Sequence, residues 1–342
     1  MRRIWIWALA LFWACSGSIR DLPVNHGAGE CQAGFQIQYL GAGGLLIRSR
    51  EASLLTAPFF SNPPLRRVLW GRIRADQAQI DRALRPLQDS LGEVEAILVG
   101  HAHYDHLMDL PCLAAQYAPR ARIYGSRTAA HILAAALDPE RLVPVEDQAG
   151  TPQRPGQWQQ VSGGRIRFMA LESAHAPHLW GWKFFGGNYE SDLRALPTRA
   201  GGWREGQTLA YLVDFLGEEG QVEFRLYYQD AASAPPAGFP PPFDQAADQH
   251  RVDVAVLCAA GFEQVEDYPE GIVQYLKPRA LVLVHWENFF APLPVDPRRL
   301  RTVPRLDLRE FLRRLEQVLP PDARVELPAP GVWMCFDSRA SP

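Results

Sequence analysis

Three of the nine histidines in this 342-residue chain fall within six positions, His101-Ala102-His103-Tyr104-Asp105-His106, with an aspartate among them. Imidazole nitrogen and carboxylate oxygen together suit a borderline divalent cation such as zinc. Four donors so close along the chain cannot all converge on one ion without strain. A division that avoids the strain gives His101 and His103 to one ion, and Asp105 and His106 to a neighbour. Each ion then needs donors from elsewhere. His175, Asp230 and His285 can supply them, and Asp230 has two oxygens with which to bridge.

Such donors need a rigid frame, and the pattern around them provides one. Val94–Val99, apolar except for Glu95, ends just before His101. Arg165–Leu171 precedes His175, Val222–Tyr228 precedes Asp230, and Ala280–Val284 precedes His285. Apolar runs of this length read as strands. Every candidate therefore follows a strand end, as a site along one edge of a sheet pair requires. Further strands are expected at 35–40, 45–48, 53–56, 122–124, 208–215 and 252–257. Helices are expected at 75–87, 107–117, 127–137, 269–276 and 306–318. Residues 59–73, with Pro63 and Pro64, read as a long loop, and 176–206 as an aromatic- and glycine-rich insertion. Strands cluster and then alternate with helices. That order predicts a single α/β domain of two packed sheets with helices outside, a four-layer αββα sandwich.

Composition narrows the function. With 47% hydrophobic and 21% charged residues the chain is neither disordered, nor a coiled coil, nor a polytopic membrane protein. A net charge of -3 and the absence of a basic run argue against a nucleic-acid partner. Met1-Arg2-Arg3 precedes an apolar run, Ile4–Ala14, that is too short to span a bilayer, which takes roughly 20 residues. It reads as a secretory signal peptide. Cys15, directly after that run and behind a small residue, resembles a bacterial lipoprotein processing site. The expected organisation is a lipoprotein-type signal at 1–15, a polar tether at 16–33 and the αββα domain at 34–338. The expected location is exported, either periplasmic or membrane-anchored through Cys15. In that oxidising setting Cys31, Cys112, Cys258 and Cys335 show no CxxC pair, and one disulfide is compatible with them. Cys112 and Cys258 sit in apolar surroundings and read as packing residues.

The six-residue run matches the HxHxDH signature of the metallo-β-lactamase superfamily, and the later order His175, Asp230, His285 is similar to that family's remaining ligand motifs. The resemblance covers about residues 35–336 and implies the family's αββα fold. It implies two divalent metal ions, zinc being the expected identity. His101, His103 and His175 would form one site, and Asp105, His106 and His285 the other, with Asp230 shared. Asp105 would also orient a hydroxide held between the ions, which attacks a carbonyl carbon or phosphorus. His178 is an alternative to His175, or a substrate contact; His175 is preferred because it lies nearer its strand end. His26, His131 and His250 read as packing or surface residues. Ser173 lacks the G-x-S-x-G elbow of a serine hydrolase.

Within the superfamily, Tyr104, the run Val284-His285-Trp286-Glu287-Asn288-Phe289 and the long segment Pro58–Glu93 resemble the branch of N-acyl-phosphatidylethanolamine-hydrolysing phospholipase D. Ala57-Pro58 departs from the Asp-Pro pair common in the family, whose carboxylate supports the metal loop. The resemblance implies a small-molecule or lipid substrate, in the first instance a lipid-type phosphodiester. Esters, lactones or β-lactams are the alternative with the same site. A lipid-anchored binding or scaffold protein with a vestigial site is the alternative from another class. Candidates for substrate contact are His178, Tyr104, Trp180 and Trp286. Phe184, Phe185, Phe59, Phe60, Trp70, Phe289 and Phe290 form either an apolar substrate wall or core packing.

Overall fold

The computed structural model describes residues 16–27, 34–178, 181–242 and 251–337. Its strands are β1 (Val24–Asn25), β2 (Phe35–Gly41), β3 (Gly44–Arg48), β4 (Ser53–Thr56), β5 (Ala96–Leu98), β6 (Arg122–Gly125), β7 (Leu142–Pro144), β8 (Trp158–Val161), β9 (Ile166–Glu172), β10 (Leu209–Leu216), β11 (Val222–Gln229), β12 (Val254–Cys258), β13 (Ala280–Val284), β14 (Arg324–Pro328) and β15 (Trp333–Phe336). The helices are α1 (Leu65–Trp70), α2 (Gln77–Leu84), α3 (Gln88–Gly92), α4 (Tyr104–Leu107), α5 (Leu110–Gln116), α6 (Arg127–Leu133), α7 (Glu270–Leu276) and α8 (Leu308–Glu316).

Among the described residues the strands form two mixed sheets. An 8-stranded sheet runs β1-β14-β13-β12-β11-β10-β9-β8, and a 7-stranded sheet runs β15-β2-β3-β4-β5-β6-β7. The meanders β2-β3-β4 and β8-β9-β10-β11 pair antiparallel, while β4-β5-β6-β7 and β11-β12-β13 pair parallel. The division follows composition. β12 (VAVLC) and β13 (ALVLV) are apolar at every position and fully buried, which suits parallel strands covered on both faces.

The sheets meet through aromatic side chains. Phe35 of one stacks on Phe224 of the other with ring centroids 4.3 Å apart, and Tyr124 meets Phe168 edge-on at 4.8 Å. Tyr211 reaches across from β10 and donates its hydroxyl to the carbonyls of Val99 at 2.8 Å and Tyr124 at 3.2 Å. That contact pins the point where the chain leaves β5 toward the histidine cluster. In β10–β11, Asp214 lies directly opposite Arg225, and the fully buried pair is 2.7 Å apart. The helices cover the sheets through short apolar faces, and α2, α6 and α8 carry side-chain caps. Asp307 accepts the Glu310 N–H at 3.0 Å, and α8 buries Leu308, Phe311 and Leu315.

Three expectations change. The 59–73 segment is not wholly a loop, because α1 forms directly after Pro64 and buries Val68. The helix expected at 107–117 is divided into α4 and α5; Pro111 near the start of α5 has no N–H to continue the ladder of α4. The tether is folded in part. β1 pairs with β14, Ile19 is buried, and Thr302 Oγ1 accepts the Gly17 N–H at 2.8 Å. Cys335 is disulfide-bonded, while Cys112 and Cys258 are free thiols. The signal at 1–15 and the lipidation candidate Cys15 lie outside the described residues.

Candidate metal centre

His101, His103, Asp105 and His106 leave β5 on one short excursion. His103 is extended and stands immediately before α4, so Asp105 and His106 fall on its first turn. This change of backbone type aims neighbouring donors in different directions. His175 lies three residues past β9, Asp230 directly past β11 and His285 directly past β13. The structure brings all seven together, although Asp230 is 129 positions from His101.

The donor atoms fall into three overlapping groups: His101, His103 and His175; Asp105, His106 and His285; and His101, His106 and Asp230. The donor atoms within each group lie within 4.8 Å of one another. The last group takes one histidine from each of the other two, which puts Asp230 between them. Its Oδ1 is 3.1 Å from His101 Nδ1, and its Oδ2 is 3.3 Å from His106 Nδ1. Asp105 Oδ2 is 3.2 Å from His285 Nε2.

These groups are poorly satisfied without a cation. His103 Nε2, both ring nitrogens of His106 and His285 Nδ1 are buried without a hydrogen bond. Buried polar atoms are nearly always partnered, so a cluster of orphans on metal-ligating residue types fits a divalent ion. The electrostatics agree. Burial, reinforced by the neighbouring imidazoles, holds His103 and His175 well below the ordinary histidine range and brings His106 to about 4, so all three stay neutral with free lone pairs. Burial would raise Asp105, but His106 and His285 hold it well below the usual carboxylate range.

Two tautomers separate His175 from His178. His175 Nδ1 is 2.6 Å from the carbonyl oxygen of Ala176, so that nitrogen carries the proton and Nε2 keeps its lone pair. His178 Nδ1 instead accepts the Phe184 N–H at 3.2 Å, which leaves the proton of the neutral ring on Nε2. Only His175 can offer Nε2 to a cation; His178, stacked on it at 4.8 Å, can offer a hydrogen-bond donor.

Sequence reasoning missed the supports. His285 sits at φ 58°, a left-handed conformation unusual for a side-chain-bearing residue. Its N–H is held by the carbonyl of Ala42 and the hydroxyl of Tyr39, each at 3.0 Å. Tyr39 donates to the buried Glu287 carboxylate, which also accepts the Ala42 N–H at 2.6 Å. Tyr228 donates to the Gly43 carbonyl at 2.7 Å and lies 3.3 Å from Asp230 Oδ2. Gly100 is required by contact, because a Cβ there would stand 2.1 Å from Asp230 Oδ1.

At Ala57-Pro58 the expected carboxylate is lacking, and Asp109 provides a tie from the other side. It accepts the N–H groups of Phe60 at 2.8 Å and Ser61 at 2.9 Å, and the Ser61 hydroxyl at 2.5 Å. Burial nevertheless raises its carboxyl to about 6, against the pull of those donors. The folded chain then holds a proton that the unfolded chain has lost, so this group makes stability fall as pH climbs from about 4 through about 6. Asp109→Ala should cost about 3 kcal/mol in denaturant unfolding, because it leaves buried donors without an acceptor. Asp109→Asn should flatten the pH slope; an unchanged slope would refute this account.

A cavity of about 570 Å³ opens beside the cluster. Tyr104 and His178 line it, together with Phe184, Phe185, Phe289 and Phe290. Trp286 does not. It is fully buried and donates its indole N–H to Pro328 at 3.0 Å, because the left-handed turn at His285 sends the next side chain into the core. Phe59 and Phe60 are core residues, and Trp180 lies outside the described residues. Ser173 is occupied by Gln229 and Ser233.

The sequence profile described as "Beta-lactamase superfamily domain" matches residues 55–260. Comparison with curated proteins found no match. Among solved structures, Igni18, a metallo hydrolase from the archaeon Ignicoccus hospitalis, is similar at 13% identity and TM-score 0.51, covering 89% of this chain and 99% of that one. The metallo-β-lactamase fold protein YhfI from Bacillus subtilis is also 13% identical, with TM-score 0.47, covering 88% of this chain and 98% of its own. With the profile spanning more than half its length, the chain belongs to the β-lactamase superfamily, as a hydrolase of the metallo-β-lactamase fold.

Proposed function

We propose that this protein is a dinuclear metal-dependent hydrolase of lipid-type phosphodiesters. The observation that carries the reading is the apolar cavity, lined by Leu65, Val68, Leu69, Phe184, Phe289 and Leu306, that opens onto five of the seven donors, His103, Asp105, His175, Asp230 and His285. His101, His103 and His175 would hold one cation, Asp105, His106 and His285 the other, and Asp230 would bridge. Two divalent cations, most readily zinc, would activate water and, less the charges of Asp105 and Asp230, leave two positive charges, matching a phosphodiester under hydroxide attack better than an ester, which develops one.

The protein's own groups supply orientation and exclusion of water. The low-lying carboxylate of Asp105 accepts a proton-bearing partner at the reacting centre and is steadied by His285. The Nε2–H of His178 donates to a negatively charged oxygen of the substrate. Burial and the charge of Asp105 hold the Tyr104 hydroxyl well above its usual range, so it remains a donor beside them. The aromatic wall takes up an acyl chain, in keeping with the branch that hydrolyses N-acyl-phosphatidylethanolamine. We also propose export and lipid attachment at Cys15, which a disulfide at Cys335 supports, since such bonds persist outside the cytosol.

Metal analysis with a substrate panel tests the reading. About two ions per chain are expected, with the highest kcat/KM on a diacyl phosphodiester and lower turnover of bis-p-nitrophenyl phosphate. Turnover of nitrocefin, lactones or acyl esters without any phosphodiester cleavage would replace the substrate class. A chain that binds no metal and hydrolyses none of the panel would favour the scaffold alternative.

A further inference from the structure

We propose that the mouth of the cavity docks on an anionic lipid bilayer, through Trp70, Trp182 and the arginines in and after α1. Trp70 is 63% exposed and Trp182 71%, the largest strongly exposed apolar side chains among the described residues. Both belong to segments that wall the cavity. Trp70 follows Leu69, which lines it, and Trp182 lies between the lining residues His178 and Phe184. The His178 N–H donates to the Trp182 carbonyl at 2.9 Å, so the turn that carries this indole is tied back to the cavity wall. The two rings are therefore carried by two segments that wall the same cavity.

α1 has two faces. At about 100° per residue, Leu65, Val68 and Leu69 share the side that lines the cavity, while Arg66, Arg67 and Trp70 share the side turned to solvent. Arg72 and Arg74 follow, and both are exposed. No acidic residue occurs from 62 to 75, and none of the four arginines is paired with a carboxylate among the described residues. The arginines are interrupted by apolar residues, so the sequence shows no basic run; the helix gathers them beside a tryptophan. Indole rings with guanidinium groups, around an apolar opening, match the headgroup level of an anionic membrane. A nucleic acid would use the arginines but would gain nothing from the apolar cavity that they border. The surface stands on this geometry and does not depend on which ester bond the site cleaves.

Co-sedimentation of the full chain with vesicles tests the proposal, comparing phosphatidylcholine alone with phosphatidylcholine containing about 30 mol % phosphatidylglycerol. Each basic residue near such a surface changes partitioning by roughly fivefold. Arg66→Glu/Arg67→Glu should therefore weaken binding to the anionic vesicles by at least about tenfold, and Trp70→Ser/Trp182→Ser should weaken it by a similar factor. Neither pair should change the thermal unfolding midpoint, because all four side chains face solvent. The N-terminal apolar run is the same in every variant, so equal binding by wild type and both variants would overturn the proposal. So would no preference for anionic vesicles, or binding of a single-stranded oligonucleotide in place of vesicles. Binding is read without turnover, so its failure is distinguishable from failure of the phosphodiesterase reading.

Discussion

His103→Ala should give a folded protein that has lost metal and hydrolysis together. The expected content falls from about two ions per chain to one or none, and kcat/KM falls by about 10³-fold or more, the scale of losing a group that acts as part of a unit. The reason lies in the position of the ring. His103 is buried within 4.7 Å of His101 and 4.9 Å of His175, measured between ring centroids, and its Nε2 has no protein partner. Removing it strands no hydrogen-bond donor or acceptor. The metal-free variant should therefore unfold within about 1 kcal/mol of the metal-free wild type, while the metal-loaded proteins differ by more, since an ion that binds only the native state stabilises it. Inductively coupled plasma analysis and paired denaturant titrations measure both effects. Full metal content with unimpaired turnover would sink the proposed ligand set.

Gly100→Ala should be nearly as damaging with a single added methyl. That carbon would lie 2.1 Å from Oδ1 and 2.3 Å from Oδ2 of Asp230, whose short, buried carboxylate is wedged between His101 and His106. Asp230 must retreat, and with it the group placed between the two histidine sets. A displacement of about 1 Å at a reacting centre costs on the order of 100-fold in rate. The expected result is that loss, with at least one ion released per chain. Gly92→Ala is the matched control, since its added carbon meets nothing within 4 Å. Normal activity in Gly100→Ala would show that Asp230 has freedom that the packing denies it.

The strand ends and the donors that follow them were legible because each signal is local. An apolar run of four to six residues followed by histidine or aspartate needs no knowledge of what lies opposite. The supports were not legible for the converse reason. Tyr39 meets Glu287 across 248 positions, and Asp109 meets Ser61 across 48, so no window of sequence contains either contact. The Pro63-Pro64 pair hid α1, a helix of 6 residues and too short for its periodicity to stand out. Trp286 reads as a substrate contact only if the chain continues extended past His285; a left-handed residue there turns it inward. The choice between His175 and His178 rested on nearness to a strand, whereas the structure offers a separate criterion, the atom to which each Nδ1 is bonded.

The folded portion of the expected tether has a geometric consequence. Ser16 Oγ already accepts the Asn288 side-chain amide at 3.2 Å, one residue before Phe289 at the cavity. If Cys15 carries an acyl group, the free leash between fat and enzyme is a single peptide step, about 3.8 Å. Such a domain could not swing through a wide radius above its membrane. It would ride flush against it and reach only molecules in the leaflet where it is moored.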